Sequence, residues 1–126
     1  MGIAALAWKA LIAGRAVLGT PGTDSLAVSK TEYDGWKIYH TYCDRCHGQD
    51  AVGSTFAPDL RRAVGPSGAM THDAFIRVVT DGIVDKGMPA WKAQLTPEQM
   101  ENIWAYLRAR SSGRLAAGRP HVAPGR

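Results

Sequence analysis

Cysteine is almost absent from this 126-residue chain: there are two, Cys43 and Cys46, and both sit in one C-x-x-C. That excludes the framework of two to four bridges on which small disulfide-rich domains are built. It also excludes a structural zinc site made of two cysteine pairs. Long apolar runs are lacking as well. Ile3–Trp8 and Ala10–Ala13 are short and broken by Lys9, and neither approaches the roughly 20 residues of a membrane-spanning helix. Acidic residues are missing from the ends, where Asp24 alone faces Lys9, Arg15, Lys30, Arg114, Arg119 and Arg126. The formal net charge of +4 is therefore a property of the termini, since residues 31–110 hold nine Lys/Arg against ten Asp/Glu, a net of −1. With no basic stripe interleaved with aromatics in that middle region, nucleic-acid binding is excluded.

The length suits one domain with one site. A domain this small commonly needs a staple to supplement its core. Residues 1–30 read as a leader and linker. Its apolar stretches precede Ser25-Leu26-Ala27, a small-x-small cleavage pattern, but Lys9 and Arg15 interrupt them, so the signal peptide would be atypical. Residues 31–110 read as the folded domain, and residues 111–126, rich in Gly, Ala, Arg and Pro, as a flexible tail.

Within the domain the helix punctuation is clear. Thr31 can cap a helix running towards Tyr42, with Glu32 and Asp34 in its first turn. Thr71 can cap a second that carries Phe75, Val78 and Val79 on one face and ends at Gly82. Thr96-Pro97-Glu98-Gln99 opens a third with a capping residue, Pro at the first helical position and Gln at the third. Met100, Ile103, Trp104 and Leu107 form its core-facing stripe. The segments between, Gly48–Met70 and Ile83–Leu95, are rich in Gly, Pro and Asp and show no strand-like alternation. The fold expected is all-α, with three main helices and long loops wrapped round a flat cofactor.

Cys43-Asp44-Arg45-Cys46-His47 identifies that cofactor. C-x-x-C-H is the attachment signature of c-type haem. Two thiols three residues apart on a helical turn can reach the vinyl groups on one porphyrin edge, and the next residue then lies beneath the iron. A thioredoxin-like dithiol would need a βαβ context that is missing. Among the methionines offered as a second axial ligand, Met100 belongs to the core stripe and Met70 precedes a helix cap, whereas Met88 lies in Lys86-Gly87-Met88-Pro89-Ala90 between two helices. A thioether opposite histidine suits an electron-transfer iron. Bis-histidine ligation through His40, His72 or His121 is the alternative, and otherwise these three read as exposed polar residues.

In order and spacing, the C-x-x-C-H-G opening, the Met88-Pro89 loop and the terminal helix with Ala105-Tyr106-Leu107 resemble the class I cytochromes c over about residues 31–110. Gly35 and Tyr39 precede Cys43 by eight and four residues, as in that family. The resemblance implies the cytochrome c fold around one covalent haem c, held by Cys43 and Cys46 and ligated by His47 and Met88. It further implies a close crossing of Gly35 and Tyr39 with Ile103 and Tyr106. Pro58 would offer its carbonyl to the other imidazole nitrogen of His47.

The function implied is that of a periplasmic, monomeric, non-enzymatic carrier of single electrons between a dehydrogenase donor and an oxidase or cytochrome acceptor. The runs Tyr42–Asp50 and Leu107–Pro120 are similar to those of small cytochromes that serve quinoprotein alcohol dehydrogenases. The alternatives are a sensor or peroxide enzyme with a labile Met88, or a haem subunit that works only docked to a larger dehydrogenase. The basic tails are the segments expected to steer an acidic partner. Three helices alone leave the cofactor's volume unfilled, so a Cys43→Ser, Cys46→Ser double variant is expected to lack stable helix content. Native-like circular dichroism of that haem-free protein would contradict the dependence.

Overall fold

In the computed structural model the described residues are 24–125. Five helices carry the fold: α1 (Lys30–Tyr42), α2 (Asp44–His47), α3 (Leu60–Ala63), α4 (His72–Asp81) and α5 (Pro97–Ser111). Two-residue strands β1 (Ala27–Val28) and β2 (His121–Val122) pair in parallel at the chain ends, with Ala27 opposite His121 and Val28 opposite Val122. Among the described residues no helix is long and apolar enough to cross a membrane.

Capping sets where the helices begin. The first starts earlier than Thr31 would place it. Ser29 is the cap, accepting from Glu32 N–H at 3.1 Å while Glu32 Oε1 accepts from Ser29 N–H at 2.9 Å. A reciprocal box needs Glu or Gln three residues after the cap, and only counting from Ser29 finds one. Thr71 and Thr96 cap α4 and α5 as expected, the latter with a full box to Gln99.

The core forms where α1 crosses α5. At Gly35 an added Cβ would lie 1.8 Å from the Asn102 carbonyl oxygen and 3.0 Å from Tyr106 Cβ, so only glycine permits the two backbones to touch. One turn on, the Tyr39 and Tyr106 rings stack with centroids 5.4 Å apart, both fully buried. The expected crossing is therefore present, with Asn102 rather than Ile103 meeting Gly35. Ile103, Leu107 and Val64 complete this centre. Helix α4 docks through Phe75 and Val79, with Phe75 against Trp104 at 5.2 Å, and Thr80 Oγ1 donates to Met100 Sδ at 3.4 Å. Met100 is thus a core residue. His72 ties α4 to α5 at the surface through Glu101, whose carboxylate, with Asp73, raises the imidazole's pKa.

The chain ends depart most from expectation. Residues 111–125 do not trail away: Leu115 is 1% exposed, Pro120 is buried, and the segment runs back along residues 25–28. Ala116, His121 and Ala123 N–H groups donate to the carbonyls of Ser25, Leu26 and Val28 at 2.8 to 2.9 Å. Arg114 pairs with Glu32, Arg119 lies 5.8 Å over the Trp36 ring, and His121 meets Asp24 at 2.7 Å. Two of the three tail arginines are thus engaged with the domain rather than free to steer a partner. A strap of isolated apolar residues carries no period for a sequence pattern to reveal. The boundaries drawn at 31 and 110 both move outward. The leader reading of residues 1–23 lies outside the described residues. Ser25-Leu26-Ala27 lies within them, and a cut after Ala27 would remove half of β1.

Two substitutions test this packing. Gly35→Ala forces the crossing helices apart and should cost about 3 kcal/mol or more in denaturant unfolding. Leu115→Ala should cost roughly 2 to 5 kcal/mol, the range for emptying a buried leucine site, whereas a free tail would make it silent.

Candidate functional site

Helix α1 delivers the C-x-x-C-H segment. Its last turn closes with Cys43 N–H donating to the Tyr39 carbonyl at 2.8 Å, and α2 follows at once, with His47 N–H on the Cys43 carbonyl at 3.0 Å. Cys43 and Cys46 are both free thiols, Cys46 exposed and Cys43 half-buried. Burial, with the charge of Asp44 and the neighbouring Cys46, pushes the Cys43 thiol up to about 12. Gly48, at φ +81°, turns the chain away from α2; a Cβ there would strike the Gly53 carbonyl oxygen at 2.5 Å. The turn closes with Gly53 N–H donating to the His47 carbonyl at 2.7 Å, and Ser54 Oγ donates to the Cys46 carbonyl.

Eleven residues past His47, Pro58 returns. Its carbonyl accepts from His47 Nδ1 at 3.1 Å. A carbonyl can only accept, so Nδ1 carries the proton and Nε2 keeps its lone pair. Among the described residues Nε2 has no protein partner. Pro58 is itself well held. Gly53 packs close beside it, where a Cβ would come within 3.2 Å of the Pro58 carbonyl carbon. Asp59 then caps α3 and grips Arg61 at 2.8 Å, an interaction that holds the Asp59 carboxyl below the usual carboxylate range.

Met88 comes from the loop between α4 and α5. A two-residue antiparallel bridge fixes it, with Ile83 N–H on Met88 O at 2.9 Å and Met88 N–H on Ile83 O at 3.1 Å. Gly87, at φ +86°, makes the turn possible, and Met88 packs half-buried against the core. The loop is tied to α4 by Trp91 N–H on the Val79 carbonyl at 2.9 Å. It is tied to the attachment turn by stacking of Trp91 on Tyr42, the residue before Cys43, at 5.4 Å. Trp36, by contrast, packs between Tyr33 and His40 beneath Arg119.

Of the three other histidines, His72 and His121 keep exposed rings, as expected, whereas His40 is largely buried. His40 Nδ1 donates to the Trp36 carbonyl at 2.9 Å and its Nε2 accepts from Asp50 N–H at 3.1 Å, while His72 and His121 face carboxylates. None of these is offered as an iron ligand by its geometry. The turn after His47 also contains Asp50 and Ala51 at φ +59° and +66°, left-handed for two non-glycine residues in succession. That conformation costs of order 1–3 kcal/mol per residue and must be over-determined by its surroundings. The surroundings include Arg110, 8% exposed, whose Nε donates to Asp50 O at 3.0 Å and whose Nη1 donates to Leu115 O at 2.7 Å. The C-terminal segment contributes Gly118 N–H to Asp50 Oδ1 at 3.1 Å. Removing residues 111–126 therefore would not leave this region untouched, as it would if they formed the flexible tail expected from the sequence. Nothing in the local sequence marks Asp50 or Arg110, since the contacts span 60 and 68 residues.

The donor set fits a covalent iron porphyrin. It comprises two thiols on one helical turn, an imidazole with only Nε2 uncommitted, and a thioether on a neighbouring loop. Large apolar side chains flank both segments at the surface: Tyr42, Val52 and Phe56 on one, Val84 on the other.

The comparisons agree with this chemistry. Residues 31–107 match the family model described as cytochrome c oxidase, cbb3-type, subunit III. Over 77 residues the chain is 38% identical to the quinohemoprotein alcohol dehydrogenase ADH-IIG of Pseudomonas putida, a match spanning 61% of this chain and 10% of that protein. Cytochrome c-555 of Methylococcus capsulatus is 31% identical over 96 residues, covering 75% of this chain and 74% of that one. Among solved structures, the c-type cytochrome XoxG of Methylobacterium extorquens AM1 superposes with a TM-score of 0.64 at 28% identity, over 74% of this chain and 58% of that one. The chain thus spans about a tenth of the length of the quinohemoprotein dehydrogenase that it matches.

Proposed function

The chain belongs to the c-type cytochromes, in the family described as cytochrome c oxidase, cbb3-type, subunit III, and from that premise we propose that it is a monohaem carrier of single electrons. Its cofactor is covalently attached haem c, which when bound supplies a one-electron iron couple. Cys43 and Cys46 would hold the group through thioether bonds, and His47 Nε2 and the Met88 thioether would be its iron ligands. The observation that carries this reading is the His47–Pro58 hydrogen bond. It fixes the tautomer, orients the ring and leaves a single nitrogen for a metal, as the outer partners of ligating histidines do.

A methionine opposite histidine raises the reduction potential. With His47 and Met88 both committed to the iron, no position would be left for a substrate, which supports a carrier of electrons rather than a converter of molecules. The names borne by its relatives support a donor of the quinoprotein alcohol dehydrogenase class; the periplasm is the proposed place where the two would meet. Apolar Val52, Phe56 and Val84 around the site suit the small, transient contacts that redox partners use.

Replacing Met88 tests the assignment directly, because the thioether bonds do not depend on the axial ligand. Met88→Ala should keep the covalent haem, lower the midpoint potential and acquire carbon monoxide binding in the ferrous state. Carbon monoxide binding by the unaltered protein would favour a labile-ligand sensor instead, and the same phenotype in Met70→Ala but not Met88→Ala would move the ligand.

A further inference from the structure

Asp50 is held by every polar group it has, each from a different part of the fold. Its N–H donates to His40 Nε2 on α1, its carbonyl accepts from buried Arg110 on α5, and its carboxylate accepts from Gly118 N–H on the C-terminal segment. The partners are themselves committed. His40 Nδ1 is used by the Trp36 carbonyl, and the second arm of Arg110 by the Leu115 carbonyl. Arg110 can bridge two carbonyls because its guanidinium offers donors in a rigid fork, which a lysine cannot reproduce. Beside this cluster the Tyr106 hydroxyl is buried with no hydrogen-bond partner, and burial raises its pKa. The cluster is therefore a charge-assisted network covered in part by the strap, with the His40 and Asp50 side chains 16% and 13% exposed.

What the network holds is the strained turn after His47. Asp50 and Ala51 stay left-handed, Ala51 is fully buried, and Ala51 N–H reaches back to the Gly48 carbonyl at 3.2 Å. The same Gly48 carbonyl accepts from Tyr39 Oη at 2.5 Å. Two residues after Ala51, Gly53 N–H closes onto the His47 carbonyl, and Gly53 in turn abuts Pro58, whose carbonyl orients the His47 ring. A continuous set of contacts therefore runs from the C-terminal strap to the imidazole.

We propose that Asp50, gripped by His40, Arg110 and Gly118, is a positioning residue for His47, through which the helix crossing and the joined chain ends set the orientation of that ring. The proposal rests on the reading of His47 as an iron ligand. In this role Asp50 acts through the Gly48–Gly53 turn and not as a ligand.

The test compares holoproteins of the unaltered chain with Asp50→Ala, Asp50→Asn and Arg110→Lys. Two readouts are followed: the midpoint potential together with the paramagnetic NMR shifts of the His47 ring, and the exchange rate of the Gly53 amide. Asp50→Ala should change the redox equilibrium constant by at least threefold, about 28 mV at 59 mV per tenfold for one electron, displace the His47 ring shifts, and speed Gly53 exchange at least tenfold. Asp50→Asn keeps an oxygen for Gly118 and tolerates the left-handed backbone, so it should restore unaltered values. Arg110→Lys should move both readouts in the direction of Asp50→Ala, and it decides the matter if Asp50→Ala does not fold. Variants that melt earlier yet keep the potential and the His47 shifts would overturn the proposal and leave the network a purely structural tie. Absence of His47 ring shifts from the iron in the unaltered protein would overturn the ligand reading first, and this inference with it.

Discussion

The contact between the Gly35 backbone and the Asn102 carbonyl decides the rest of the structure. Because no Cβ intervenes, α1 and α5 approach closely enough for Tyr39 to stack on Tyr106 one turn later. Such ring pairs contribute about 0.5–1.5 kcal/mol beyond the area they bury. From that crossing α1 aims its C-terminus at the attachment turn, and α5 carries Arg110 to the back of the same turn. His47, the proposed iron ligand, is thus positioned by a helix crossing whose closest point lies twelve residues before it in the sequence.

Around the site, glycine and proline divide the work by conformation. Gly48, Gly53 and Gly87 make approaches or positive φ values that a side chain would block. Pro58, lacking an N–H, contributes a carbonyl on a stiff segment just before the α3 cap. The outcome is an imidazole whose Nδ1 is committed and whose Nε2 is available, on a turn that also presents two thiols. A thioether comes from a separate loop that Trp91 ties to Tyr42 and to α4. Separate attachment of His47 and Met88, the two proposed ligands, is consistent with the independence expected between covalent haem retention and Met88 ligation.

The electrostatics follow the same division. The chain's positive excess lies in its termini, which seemed suited to long-range steering of an acidic partner. Yet Arg114 is paired with Glu32 and Arg119 lies over Trp36, so part of that charge serves to close the strap onto the domain. That leaves fewer free basic groups for long-range steering than the net charge alone implies.

Features governed by neighbours in sequence were legible without a structure. These include the C-x-x-C-H turn, the caps Thr71 and Thr96, and the α5 stripe; the crossing of Gly35 and Tyr39 with α5 was implied only by the family resemblance. The His47–Pro58 hydrogen bond, implied by the family spacing, is present at 3.1 Å. Helix α1 is capped by Ser29, two residues before Thr31, because only Ser29 has a glutamate three residues on to complete the box. What only the tertiary structure decided is the joining of the chain ends and the grip on Asp50. Two-residue strands have no alternation to detect, and Leu115 and Pro120 no helical period. Asp50, His40, Arg110 and Gly118 meet across separations of 10, 60 and 68 residues. Local pattern specifies a helix or a turn because its hydrogen bonds are local; a buried polar network exists only once distant segments have excluded water from it together.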